Sequence, residues 1–217
     1  MKGIVFNIHF NKLYINTFKV AKKAIDSVIS SDKKNSAQFI YYNNKFEFSK
    51  KDTREGNPVY EDILKNLNLK KIPNNDLTIF IRDPKLKLYS GIIEAVKIRR
   101  KVNKESVLDY MTSNLFSDNL HTCSYFDAIF NFIDEYKLKI KDIKFVNIDK
   151  NPYINPITNE EYFQKGEFYC DNGKIVIESN NHLYDVVDKV FNENELFEWK
   201  QLLDLEVKRY KTLTKYE

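Results

Sequence analysis

The hydrophobic period changes several times along this chain, and the order of those changes constrains the fold more than any single motif does. Residues 3–10 (GIVFNIHF) alternate apolar and polar side chains, as a strand does. After Asn16, residues Phe18, Ala21, Ile25, Val28 and Ile29 recur at helical spacing with lysines opposite. Residues 37–49 (AQFIYYNNKFEFS) return to alternation around Asn43-Asn44, a pair tolerant of left-handed backbone, and read as a hairpin. Residues 57–69 read as a short helix with Pro58 in its first turn. Residues 76–90 read as a strand, an Asp-Pro turn and a second strand-like piece.

A helical block follows. Ser90 is placed to cap a helix over about 91–101, Asn103 another over about 104–115, and Ser124 a third with Asp127 three residues on. That third helix puts Phe126, Ile129, Phe130 and Ile133 on one core-forming face. Residues 140–149 read as a buried strand, and 151–165, with Pro152 and Pro156, as the linker-like segment. Residues 166–179 alternate on both sides of Asp171-Asn172-Gly173, a strong hairpin signal. Two amphipathic helices finish the chain. One aligns Leu183, Val186, Val187 and Val190; the other aligns Leu196, Trp199, Leu203, Val207 and Tyr210. In the last, Glu195 and Glu198 come early and Lys208, Arg209 and Lys211 late, the order that a helix dipole favours.

Hairpins and a helical cluster without strict βαβ alternation define the expected class as α+β. The sheet is expected to be mixed or antiparallel and built from hairpins, with a central helical cluster and two C-terminal helices. Residues 1–150 are expected to form the main α+β domain. Residues 151–217, a hairpin plus two helices, are expected to pack on it as one globular unit. With 16 Phe and 14 Tyr there is enough apolar material for such a core. No apolar run approaches the roughly 20 residues that a bilayer span needs, and the first 16 residues are too polar for a signal peptide. Cys123 and Cys170 are far apart and form no CxxC, so neither a zinc framework nor a disulfide scaffold is indicated. The expected setting is the cytoplasm, without a membrane partner.

The functional question turns on residues 97–104, KIRRKVNK, with five basic residues in eight. The net charge is +4 and the pI about 8.7, compatible with an anionic partner. The richness in Lys, Asn, Ile, Phe and Tyr is what AT-rich codons produce. It suits a low-GC bacterium, or a phage or other mobile element of one, and it makes the arginines more informative than the lysines. On a helix, Arg99 and Arg100 fall on or beside the apolar arc of Ile92, Ile93, Ala95 and Val96, in the last turn. There they would snorkel past the core edge, bond the orphan carbonyls of the helix end, or meet phosphates or carboxylates. On a strand, Lys97, Arg99 and Lys101 would form a basic ladder. Arg82, Lys85 and Lys87 lie upstream and would extend the patch if the fold brings them near. The anion- or partner-binding candidates are therefore Arg82, Lys97, Arg99, Arg100, Lys101 and Lys104.

Catalytic signals are weak by comparison. His121-Thr122-Cys123 offers a Cys and a His, but neighbours two apart seldom face each other and no third group is evident. Asp83 and Asp149 each follow a strand, and Glu178 ends the last hairpin with Lys174 on the same strand. Two E-x-K triplets, Glu135-Tyr136-Lys137 and Glu198-Trp199-Lys200, lie in helices rather than on the strand that a metal-dependent nuclease would use. Five glycines leave few places to cradle a phosphate, and no cofactor or metal motif is present. The aromatic hairpin over 39–48, flanked by lysines, has the residue types that stack bases. The expected function is a non-enzymatic binding or regulatory protein acting on an acidic surface. That surface would be a nucleic acid or a nucleic-acid-handling protein, as in mobile-element or defence systems. Two other readings stay open. One is a metal-dependent nuclease drawing on Asp83, Asp149, Glu178 and Lys174. The other is a purely protein-directed inhibitor, immunity or assembly factor.

Overall fold

The computed structural model describes residues 4–10, 12–20, 22–32, 36–42, 45–48, 77–114, 119, 121–150, 155–160, 168–171, 174–177 and 181–216. The helix read over 57–69, the Asn43-Asn44 and Asn172-Gly173 turns and Glu178 lie outside these residues.

The fold is α+β. Six strands form one mixed sheet: β1 (Ile4–His9), β2 (Lys12–Thr17), β3 (Ser36–Tyr42), β4 (Lys45–Phe48), β5 (Leu77–Ile81) and β6 (Lys144–Asn147). Their spatial order is β4-β3-β1-β2-β5-β6. The β1–β2, β1–β3 and β3–β4 pairs are antiparallel, whereas β5 runs parallel to both β2 and β6. A separate antiparallel pair joins β7 (Phe168–Asp171) to β8 (Lys174–Ile177). The helices are α1 (Lys22–Ser31), α2 (Pro84–Lys97), α3 (Lys104–Ser113), α4 (Phe126–Glu135), α5 (Asn181–Glu193) and α6 (Phe197–Leu213). Among them, none is long and apolar enough to cross a membrane.

Strand alternation separates the two faces of the sheet. Phe6 meets Phe132 of α4 edge to face at 5.3 Å, and Asn147 on the same face donates to the Tyr210 hydroxyl of α6 at 2.7 Å. Asn7 points the other way, and there Gln38 donates to both Asn7 Oδ1 and Asp26 of α1, each at 2.7 Å. The sheet thus lies between α1 on one side and α4 with the end of α6 on the other. A second apolar cluster gathers α2, α3, α5 and the start of α6, around Ile92, Val96, Val107, Val187, Val190 and Trp199. Helix α6 joins the two: Trp199 belongs to the helical cluster and Leu213 to the sheet core.

Several local expectations change. Residues 84–90 are the first half of α2 rather than a strand. Asp83 caps this helix by accepting from Leu86 N–H at 3.0 Å, and Pro84 takes the first helical position, where its missing N–H costs nothing. Ser90 is therefore internal to α2, which ends at Lys97 and not at 101. Strand β2 was hidden by its polar content. Asn16 is fully buried, accepts from Asn7 at 3.0 Å and donates to Val20 O at 3.0 Å, so a paired asparagine sits where the alternation reads as broken. Part of the linker-like segment is docked: Asn155 donates to Ala24 O of α1 at 3.3 Å, and Ile157 packs on the sheet core. Gly91 is the one position in α2 where a side chain cannot fit, since a Cβ there would lie 2.8 Å from the backbone carbonyl carbon of His121.

Candidate functional site

The basic stretch forms the corner between α2 and α3. The N–H groups of Arg99 and Arg100 both bond Val96 O, at 2.9 and 3.0 Å, and close the helix end. On the far side, Asn103 and Ser106 form a reciprocal capping box at the start of α3, with bonds of 2.8 and 2.9 Å. Ser106 Oγ also donates to Lys101 O at 2.8 Å, and Val102 is buried. The corner backbone is therefore fixed from both ends, while its outer side chains stand in water. Ile98 is 72% exposed, and Arg99, Arg100 and Lys101 are exposed beside it.

These cations are not equivalent. Arg100 pairs with Asp109, whose carboxyl is held below the ordinary carboxylate range by the hydrogen bond and charge of that guanidinium. Lys104 pairs with Glu193 at 2.7 Å. Lys97 is half-buried. Among the described residues, the Arg99 and Lys101 side chains have no hydrogen-bond or ion-pair partner. Arg82 is not part of this corner. It precedes α2, a helix of 14 residues and so about 20 Å long. There its guanidinium bonds Asp149 at 3.1 Å, Lys19 O at 3.0 Å and Ser90 at 3.3 Å. Lys85 pairs with Asp188 at 2.7 Å, and Lys87 is buried, so the upstream basic residues do not extend the patch.

Asp83 and Asp149 follow the C-terminal ends of the parallel strands β5 and β6, and both are engaged within the fold; Glu178 lies outside the described residues. Asp149 accepts from Arg82 and, at 2.7 Å, from Asp83 N–H, while Asp83 caps α2. Lys174 begins β8 in the separate two-stranded sheet. No cluster of three or more His, Cys, Asp or Glu suited to a metal ion occurs among the described residues.

A buried polar group escaped the sequence reading. Lys87, 3% exposed, donates to Cys123 O at 2.6 Å. Burial pulls its pKa down, against the opposing pull of the Cys123 thiol and the Glu206 carboxylate. Glu206 of α6, also buried, accepts from Ser124 Oγ at 2.5 Å and from the N–H groups of Tyr125 and Phe126 at 3.0 and 3.1 Å. It thereby caps α4 from a distance. The signal existed in the helical wheel: Lys87 shares an arc with Leu88, Gly91 and Ala95, and Glu206 shares one with Trp199, Leu202 and Leu213. His121, beside them, sits edge-on to Phe18 at 4.9 Å; burial first, then Lys19 and Lys87, lower its pKa. Ser90 hydrogen-bonds Tyr184, tying α2 to α5. No family model, curated protein or solved structure matches this chain.

Proposed function

We propose that this protein works by binding, and that the α2–α3 corner grips an acidic surface on a nucleic acid or on a protein that handles nucleic acid. The observation that carries the reading is the corner itself. Arg99 and Lys101 extend from a backbone fixed by two helix ends, and neither charge is used within the described fold. A guanidinium carried on a fixed backbone offers a planar fork to phosphate or carboxylate. In support, Asp83 serves as a helix cap and Asp149 as a strand-end clamp.

The test is binding by wild type and by the Arg99→Glu/Lys101→Glu double variant. Labelled single- and double-stranded DNA and RNA are titrated at about 50 and 200 mM salt, and partners are recovered from an extract of the cells that make the protein. Charge reversal abolishes binding and leaves the melting temperature within about 2 °C, because both side chains are exposed. Binding that is indifferent to the double variant overturns the reading.

A further inference from the structure

We infer that the partner of this corner is a protein presenting an apolar pocket rimmed by carboxylates, with Ile98 entering the pocket and Arg99 and Lys101 meeting the rim. The inference rests on the binding role proposed above and selects between its two kinds of target.

Charge arithmetic comes first. Of the corner's five cations, Arg100 pairs with Asp109 and Lys104 with Glu193, and Lys97 is half-buried and engaged within the fold, leaving Arg99 and Lys101 uncommitted among the described residues. Proteins that hold duplex DNA against physiological salt make on the order of 6–10 phosphate contacts. Two cations fall well short of that. The helix that leaves the corner also carries an exposed carboxylate in its first turn, Glu105, which would oppose a phosphate backbone laid along it. A protein surface with a few discrete carboxylates can be placed to avoid them.

Ile98 decides the matter further. It caps α2, is 72% exposed, and is flanked directly by Arg99. A phosphate backbone gains nothing from an isoleucine at the centre of its contact. A protein interface does, because its centre is desolvated and apolar, with arginine enriched around it. The corner is also ordered before any partner arrives. The capping box, the Ser106–Lys101 bond and buried Val102 hold it, so binding sacrifices little backbone freedom.

The experiment has two arms, both using the full chain. In one, a phage-displayed library of random 12-residue peptides is selected on wild type alone, and the selected peptides are then titrated against wild type, Ile98→Ser and Arg99→Glu. In the other, labelled 20-nucleotide single strands and 20-base-pair duplexes are titrated at low salt. We expect selected peptides in which an apolar residue lies among Asp and Glu, with affinity falling at least tenfold for both Ile98→Ser and Arg99→Glu, and no binding of the oligonucleotides. Oligonucleotide binding that is lost in Arg99→Glu but retained in Ile98→Ser overturns this inference while the acidic-target reading stands. Peptides indifferent to both substitutions, or no selected peptide and no oligonucleotide binding, overturn both.

Discussion

Removing the Glu206 carboxylate should unlock the fold at the junction of its two cores. Its two oxygens accept three hydrogen bonds, from Ser124 Oγ and from the N–H groups that open α4. Tyr125, at the cap position, supplies no side-chain cap of its own, so these donors depend on Glu206. Charge-assisted bonds of this kind contribute about 1.5–3 kcal/mol each when the alternative is a buried orphan, though three sharing one acceptor do not add fully. Glu206→Leu also removes the negative charge that favours the buried Lys87 ammonium. We expect Glu206→Leu to lose about 4 kcal/mol, and Glu206→Gln, which keeps one acceptor, about half as much. Lys87→Met should be far milder in the wild-type background, within about 1 kcal/mol, since Glu206 keeps its three donors and the desolvated ammonium is gone. In the Glu206→Leu background the same change should recover 1 kcal/mol or more, on the order expected for coupled neighbours. Urea unfolding followed by the fluorescence of Trp199, the single tryptophan and itself 3% exposed, reads all four variants. A Glu206→Leu loss below about 1 kcal/mol, or additive effects of the two substitutions, would refute the account of Glu206 as a long-range cap coupled to Lys87.

Other consequences are simpler. Gly91→Ala gains helix propensity of about 1 kcal/mol, yet it drives a methyl group against the His121 backbone, and we expect a net loss of about 2 kcal/mol or more by denaturation; a stabilised variant would mean that His121 and Thr122 yield freely. Phe10 holds φ at 46° in the β1–β2 turn while 61% exposed, so Phe10→Gly should raise stability by about 1 kcal/mol, and a lowered melting temperature would show that the ring is packed in solution. His121, whose pKa is lowered on folding, favours the neutral ring. Its contribution carries no penalty above the unfolded value of about 6.5 and becomes unfavourable as pH falls from there through the folded value. The stability lost between pH 7 and pH 5 should be smaller in His121→Asn than in wild type, and equal losses would remove His121 as the cause.

The sequence disclosed elements where one rule dominated and concealed them where two competed. The apolar stripe of α4, the helix cap at Asn103 and the strands flanking the last hairpin follow from local pattern, and the structure has them. Strand β2 did not follow, because its asparagine is satisfied by another asparagine nine residues earlier. The start of α2 did not either. Asp83-Pro84 supports a turn and a helix start equally well, and Lys87 in the third position after it resembled the wet side of a strand. That reading failed because Lys87 has its carbonyl partner 36 residues away. Parallel pairing of β5 with β2 and β6 is likewise absent from any short window, since a parallel ladder joins segments that the chain separates by a long connection.

The same distinction applies to the α2–α3 corner. A helix wheel places Arg99 and Arg100 over the apolar arc only if the helix continues through them. It stops at Lys97, and the two N–H groups fold back on Val96 O, so both guanidinium groups swing out of the arc and into water. What the wheel presents as two arginines in one anomalous position becomes two different residues: Arg100 tied to α3 through Asp109, and Arg99 uncommitted beside an exposed isoleucine. Positive charge is legible in composition, but which charge is spent within the fold is not. That depends on partners such as Asp109 and Glu193, which reach the corner from nine residues away and from another helix. Under the proposed binding role, the weight therefore moves from the pair of arginines to the Ile98-Arg99-Lys101 surface, and substitutions there, rather than at Arg100, are expected to separate binding from folding.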